Sequence, residues 1–275
     1  MGGALQSKKK KGNSMPDQRC GCAVDKCDIF DFMASHVGLT VIHPGGLKAT
    51  AALAEALKIG PDSSVLDIGC GKGTGAVFLA QKTGCRVTGV DLSADLIEEA
   101  KALAGRKGLG DRVQFRVGNA LKLPFSDRSF DAAFSQAVLV LLTDQDRAVR
   151  EALRVLRPGS AAGWLELSWK KPTTPEFMDG VSNVLCAYCM KNVRTFEGWK
   201  KLFIKAGLQH FQMRTFSLEG MGLMKMRGDE GFVRSLRILI KTATDSAVRR
   251  RMKTMSRFFR EHADFFGYGI FTGRK

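Results

Sequence analysis

The densest chemical signal in the chain is an apolar run that ends in a glycine-rich turn, Val65-Leu66-Asp67-Ile68-Gly69-Cys70-Gly71-Lys72-Gly73. Glycines at this spacing let backbone come close to a ligand, and a helix that follows directs its first N–H groups at it. Spacing alone also fits a tight structural turn or a dinucleotide site. Asp91 closes the run Val87-Thr88-Gly89-Val90-Asp91, about 20 residues further on, where an acidic side chain can accept both hydroxyls of a ribose. The same residue could instead cap a helix starting near Ala94, although Ser93 can do so equally well.

Other reactive side chains form looser groups. Cys20, Cys22 and Cys27 precede the glycine turn, and Cys186 and Cys189 share one face of an expected helix. Five such thiols could hold a soft metal or metalloid, but their spacing is irregular for zinc, and buried packing is the alternative. The reading is therefore no metal, with that cysteine set as its weak alternative. His43 and His36 are candidate bases ahead of the turn, and His210 and His262 are further candidates, with a structural or exposed role the alternative for His36, His210 and His262 alike.

These residues need elements to position them. Strand-like runs at Ser64–Ile68, Arg86–Val90, Val113–Val117, Phe130–Phe134 and Ala161–Leu167 alternate with helical patterns at Gly75–Thr83, Ala94–Ala104 and Gln145–Leu156. That alternation predicts a doubly wound α/β fold with a mostly parallel sheet. Arg157-Pro158-Gly159 is a stop signal after the last of these helices. Upstream, Asp28–His36 and Leu47–Leu57 read as helices around the turn His43-Pro44-Gly45-Gly46. Downstream, helices are expected at Phe177–Met190, Thr195–Ala206, Glu230–Thr242 and Ser246–Glu261, with strands at Leu208–Phe216 and Tyr268–Thr272.

Val65 to Gly73, Asp91, Gly118-Asn119-Ala120 with Leu123-Pro124-Phe125, Phe130-Asp131 and Leu156-Arg157-Pro158-Gly159, taken in order, resemble the successive motifs of class I S-adenosylmethionine-dependent methyltransferases. The resemblance covers residues 60 to 168. It implies a Rossmann-like, seven-stranded sheet whose last strand is antiparallel, with a helical insertion or cap between strands six and seven. It also implies S-adenosylmethionine as cofactor and S-adenosylhomocysteine as product. By it, Asp67, Gly69, Cys70, Gly71 and Gly73 face the methionine part, Asp91 with Leu92 the ribose, and Asn119 with Ala120 the adenine. Asn119 stands where many members have Asp, and its carboxamide keeps an acceptor oxygen for the adenine amino group.

Residues 45 to 50, Gly45-Gly46-Leu47-Lys48-Ala49-Thr50, resemble the cofactor-covering segment of phosphoethanolamine methyltransferases and their small-molecule relatives. That likeness implies a lid from His43 to Gly46 over the methionine carboxylate. Those relatives carry an acid and a histidine after the fourth strand, where this chain has Ala137 and Leu141. Gln136 is left as a cofactor contact or weak catalytic candidate, and phosphoethanolamine is not expected as acceptor. Without an evident base, transfer to a thiol, amine, phenolate or metalloid would rest on proximity and orientation.

The 275 residues, 44% hydrophobic, can bury one α/β domain but hardly two. We expect a disordered leader or cloning remnant at 1–18, then a single domain at 19–275. Within it, 60–168 would form the cofactor core, and 169–200 and 217–265 the acceptor-side helical insertions. No run of 18 apolar residues could cross a bilayer, and Met1 to Lys11 lacks a signal-peptide core, so a cytoplasmic location is expected. Cys70 and Cys85 inside the core argue against a disulfide framework.

The net charge of +16 is uneven, with 19 Lys and Arg against 7 Asp and Glu from residue 191 onward. A helical cap over a small-molecule pocket is the first use for this region. Contact with an anionic membrane surface, or with RNA as a nucleic-acid methyltransferase, and a catalytically silent cofactor-binding protein are the alternatives.

Overall fold

The computed structural model describes residues 28–185, 190–218 and 223–275. The expected leader, Cys20, Cys22, Cys27, Cys186 and Cys189 lie outside the described residues. In chain order the elements are α1 (Asp28–Asp31, continuing as a π-turn over Phe32–Val37), α2 (Gly46–Ala56), β1 (Ser64–Ile68), α3 (Thr74–Thr83), β2 (Arg86–Asp91), α4 (Ala94–Arg106), β3 (Val113–Val117), β4 (Phe130–Gln136), α5 (Gln145–Val155) and β5 (Leu156–Trp169). They continue with α6 (Pro175–Val184), β6 (Arg194–Thr195), α7 (Phe196–Lys205), β7 (Gln209–Ser217), α8 (Leu223–Thr244), α9 (Ser246–Glu261) and β8 (Phe266–Arg274).

The sheet runs β3-β2-β1-β4-β5-β8-β7, with the two-residue β6 beside the end of β5. Strands β1 to β5 pair in parallel, and β8 alone runs antiparallel, between β5 and β7. This is the expected doubly wound sheet, with β6 as an unforeseen addition. Its central strand is apolar on both faces because helices cover both: Val65 packs with Leu53, Leu79 and Ile97, while Leu66 packs with Val149, Leu153 and Phe203.

Helix ends follow local chemistry. Asp144 caps α5 by accepting from Arg147 N, and Thr195 caps α7 by accepting from Gly198 N at 3.1 Å. Inward-facing Ala148, Val149, Ala152 and Leu153 seat α5 on the sheet.

Three boundaries differ most from expectation. β5 begins at Leu156, not Ala161, because Leu156 pairs with Phe130 before a register shift, and the Pro158-Gly159 segment is held where Gly159 N donates to the Lys275 carbonyl. The helix expected at Glu230 starts at Leu223 and breaks at Gly231, whose φ of 74° suits glycine. α6 is described only as far as Val184, short of the expected Met190.

Trp199 on α7 is fully buried, donates its indole N–H to the Leu167 carbonyl at 3.0 Å, and stacks toward Phe203. It joins α7 to the interior strand β5. Trp199→Ala is expected to lower the unfolding free energy by about 3–5 kcal/mol, read from urea denaturation.

Candidate functional site

One cleft, of about 2030 Å³, opens at the carboxyl ends of β1, β2 and β4, where the strand order reverses on either side of β1. The turn after β1 is built on β2. Gly69 N and Cys70 N both donate to the Val90 carbonyl, at 2.8 and 2.9 Å. Asp91 completes the join, its two carboxylate oxygens accepting from Gly71 N at 2.9 Å and Ser93 N at 3.0 Å. It lines the cleft while bracing the turn, and Ser93 caps α4 by accepting from Leu96 N, so the capping role weighed for Asp91 falls to Ser93.

Asp67, Gly69, Cys70, Gly71, Asp91, Leu92, Asn119, Ala120 and Gln136 all line this cleft. A side chain at Gly71 would meet nothing within 4 Å, so the turn leaves open space on the ligand side, as a cofactor cradle requires. Asp67 is buried, and that burial, with the neighbouring Asp91 charge, pushes its carboxyl up to about 8. Burial likewise pushes the Cys70 thiol well above its ordinary range, which makes it packing against Gly89 and not a nucleophile.

Several expected site residues are placed elsewhere. Gly73 does not line the cleft: a Cβ there would collide with Phe115 at 2.6 Å and Ala100 at 2.8 Å, so this glycine lets α3 approach β3 and α4. Gly45 and Gly46 also lie off the cleft, with their faces closed by Tyr268 and Asp229. Of the expected lid, His43 reaches the cleft, together with Thr40, Val41 and Ile42. His36 is exposed and outside it, packing on Phe32, while His262 is hydrogen-bonded to the Phe258 carbonyl, so neither can serve as base. His210 is exposed on β7. Asn119 lines the cleft, but its Oδ1 already accepts from Leu121 N at 2.8 Å, leaving one lone pair for a ligand. Of the expected helical cap, α8 does not line the cleft: Phe232, Val233, Leu236 and Leu239 are exposed and Ile238 is buried elsewhere, and α9 lines it instead.

His43 is half-buried, with Nε2 3.3 Å from Thr50 Oγ1 and Nδ1 3.3 Å from its neighbour's carbonyl, Pro44 O. Thr50 in turn donates to Gln136 Oε1 at 2.8 Å, linking the lid to the end of β4. Burial lowers the imidazole to about 4, against the raising effect of Pro44, so His43 is neutral near pH 7. Ala137, where the family relatives place an acid, takes a left-handed φ of 57° with its N–H bonded to Leu165 O.

Three positioning carboxylates were not foreseen. Asp229 accepts from Leu47 N at 2.8 Å and so caps α2, whose N-cap Gly45 has no side chain to do it. Glu230 accepts from Thr40 N, Thr40 Oγ1 and Val41 N at 2.7 to 3.0 Å, fastening the lid segment to the insertion. Glu166 on β5 is fully buried beneath the turn after β4, and its Oε1 accepts from Val138 N and Leu139 N. An acidic residue in an apolar strand is the only sequence sign of the last.

A sequence profile described as "Methyltransferase domain" matches residues 66–162. An uncharacterized protein of Haemophilus influenzae is 33% identical over 239 residues, covering 84% of this chain and 91% of that protein. The chain belongs to the class I methyltransferases, enzymes that use S-adenosylmethionine. The 27-O-demethylrifamycin SV methyltransferase of Amycolatopsis mediterranei is 37% identical over 112 residues, and the match spans 41% of each chain. In fold, the methyltransferase resembles phosphoethanolamine N-methyltransferase 2 of Haemonchus contortus in complex with phosphomonomethylethanolamine and S-adenosylhomocysteine. That likeness has a TM-score of 0.71 at 22% identity, covering 90% of this chain and 56% of that one.

Burial pushes Glu166 up to about 8, against the lowering effect of the Leu139, Val138 and Val140 N–H groups. A folded-state value above the unfolded one means the native protein holds the extra proton, so this contribution is complete below about pH 4.5 and lost as pH rises toward 8. Glu166→Gln, which keeps the accepting oxygen, should flatten the decline of unfolding free energy between pH 5 and 8, measured by denaturation across that range.

Proposed function

We propose that this enzyme methylates a bulky, mostly apolar small molecule held in the half of the cleft beyond Gln136. The observation that carries this reading is the size of the cleft. At about 2030 Å³ it is roughly twice the upper range of ordinary ligand pockets, so cofactor and a sizeable acceptor fit side by side. The far half is walled by Phe30, Ile42, Leu141, Leu142, Val184 and Leu185. A relative named for 27-O-demethylrifamycin SV agrees with an acceptor of this class. Residues 60–168 would supply the cofactor side, and the segments at 169–200 and 217–265 the acceptor side.

The residues of the near half fit S-adenosylmethionine, which when bound supplies an electrophilic methyl group on a sulfonium. Asp67 would hold the α-amino group, Asp91 the ribose hydroxyls, and Leu92, Asn119 and Ala120 the adenine, while the open backbone at Gly71 admits the ligand. Asp91 keeps lone pairs for the ribose beyond those it gives to Gly71 and Ser93.

Among the described residues the far half holds no strong base. Neutral His43, already lowered to about 4, attracts a proton weakly, so the nucleophile enters in its reactive form and the protein contributes orientation and exclusion of water. The buried turn from Val138 to Leu142, fixed by Glu166, sets the position of that acceptor wall.

Two outcomes are expected. Asp67, pushed up to about 8, is protonated at pH 7, and an ammonium placed beside it drives that proton off. Titration with S-adenosylhomocysteine in buffers of different ionisation enthalpy should therefore show proton release at pH 7, which Asp67→Asn removes; absence of release refutes the assignment of the amino group. With radiolabelled methyl donor and a panel of apolar phenols, thiols and amines, label should pass to a small molecule. His43→Gln should slow that transfer less than about tenfold, whereas loss of a true general base costs about a hundredfold or more.

A further inference from the structure

α9 carries six basic residues along one stretch, and the fold divides them between two faces. Val248, Met255 and Phe258 are buried and seat the helix. Ala247, Arg250, Arg251 and Thr254, spaced by three, one and three residues, form the face that lines the cleft. Arg249, Lys253, Arg257 and Arg260 fall on the remaining arc, are exposed, and take no part in the cleft. Two guanidinium groups therefore stand in the acceptor half.

Their surroundings are selective. Arg251 is half-buried, with its guanidinium 4.3 Å from the centroid of the Phe32 ring, which fixes its direction. Arg250 lies one position before it, with Nη1 3.4 Å from Ser246 Oγ. The acidic side chains that line the cleft, Asp67, Asp91, Asp95 and Glu99, lie toward β1, β2 and α4, where Lys72 pairs with Glu99 at 3.1 Å, so that end keeps a net negative charge while α9 supplies the positive one. Between Gln136 and the arginines the wall is mostly apolar, interrupted by Thr40, Ser182 and Asn183. Guanidinium forks suit a phosphate or carboxylate, and low-dielectric walls strengthen the attraction.

We propose that the acceptor is an amphipathic anion whose apolar body lies against Phe30, Ile42, Leu141 and Leu142 and whose phosphate or carboxylate is held by Arg250 and Arg251. The proposal rests on the reading that the far half of the cleft is the acceptor site. It gives the two faces of α9 different work, binding on one and solvation on the other.

The test uses the full chain saturated with S-adenosylhomocysteine and titrated calorimetrically with octyl phosphate, nonanoate and 1-octanol. At least one of the two anions should bind about tenfold more tightly than the alcohol, and which does so names the anionic group. Arg250→Gln/Arg251→Gln should lose about tenfold in affinity for that anion, with octanol and S-adenosylhomocysteine affinities unchanged. Arg250→Gln alone, which leaves the Phe32 contact intact, should lose part of it, and Lys253→Gln/Arg257→Gln should lose none. Equal binding of anion and alcohol would overturn the proposal. So would a loss that follows Lys253 and Arg257, or anion binding seen only with phosphatidylglycerol vesicles, since either places the anion on the outer face. Failure to bind S-adenosylhomocysteine would instead count against the cofactor assignments, a separate result.

Discussion

The reversal of strand order at β1 is the constraint on which the rest of the structure depends. With β2 on one side and β4 on the other, the connections leaving β1 and β4 turn toward opposite faces of the sheet, and a crevice must open between them. The backbone lining it is braced from the neighbouring strand: the Val90 carbonyl takes two N–H groups of the β1 turn, and Asp91 takes a third. The glycine turn is therefore a joint between two strands as much as a feature of one, and its open side at Gly71 faces the crevice because its other bonds are already made.

Carboxylates do three different jobs around that crevice. Asp91, half-buried and bonded to N–H groups, lines the crevice while bracing the glycine turn. Asp67 and Glu166, deprived of water, favour their protonated forms, one in the crevice and one beneath the turn after β4. Asp229 and Glu230 act across the fold, supplying α2 with its missing cap and holding Thr40 and Val41 in place. The insertion between β7 and β8 thus positions the cofactor-side lid from outside, and its second helix supplies the basic end of the cleft. Ordering at one end is coupled to ordering at the other through the linked contacts of His43, Thr50 and Gln136.

Much of the cofactor side could be read directly from the chain. Strand, turn and helix around Gly69 to Gly71 are local: an apolar run, residues tolerant of left-handed backbone, then a helix. Asp91 lies one βα unit later for the same reason. The alternation of strands and helices and the capping residue Ser93 follow from local period and side-chain chemistry, while the antiparallel last strand came with the family resemblance.

What the tertiary structure alone decided are contacts between residues far apart in the chain. Asp229 and Leu47 are separated by 182 positions, and nothing near either residue announces the bond. The six basic residues of α9 look alike in sequence, and only the packing of Val248, Met255 and Phe258 determines which two face the cleft. α8 carries an apolar stripe that reads as a roof, yet its break at Gly231 and its attachment through Glu230 turn that stripe outward. Glycines show the division most clearly. Gly71 and Gly73 are indistinguishable as letters, but the missing Cβ of one leaves room for a ligand and that of the other leaves room for Phe115, and only the neighbours brought in by folding make the difference.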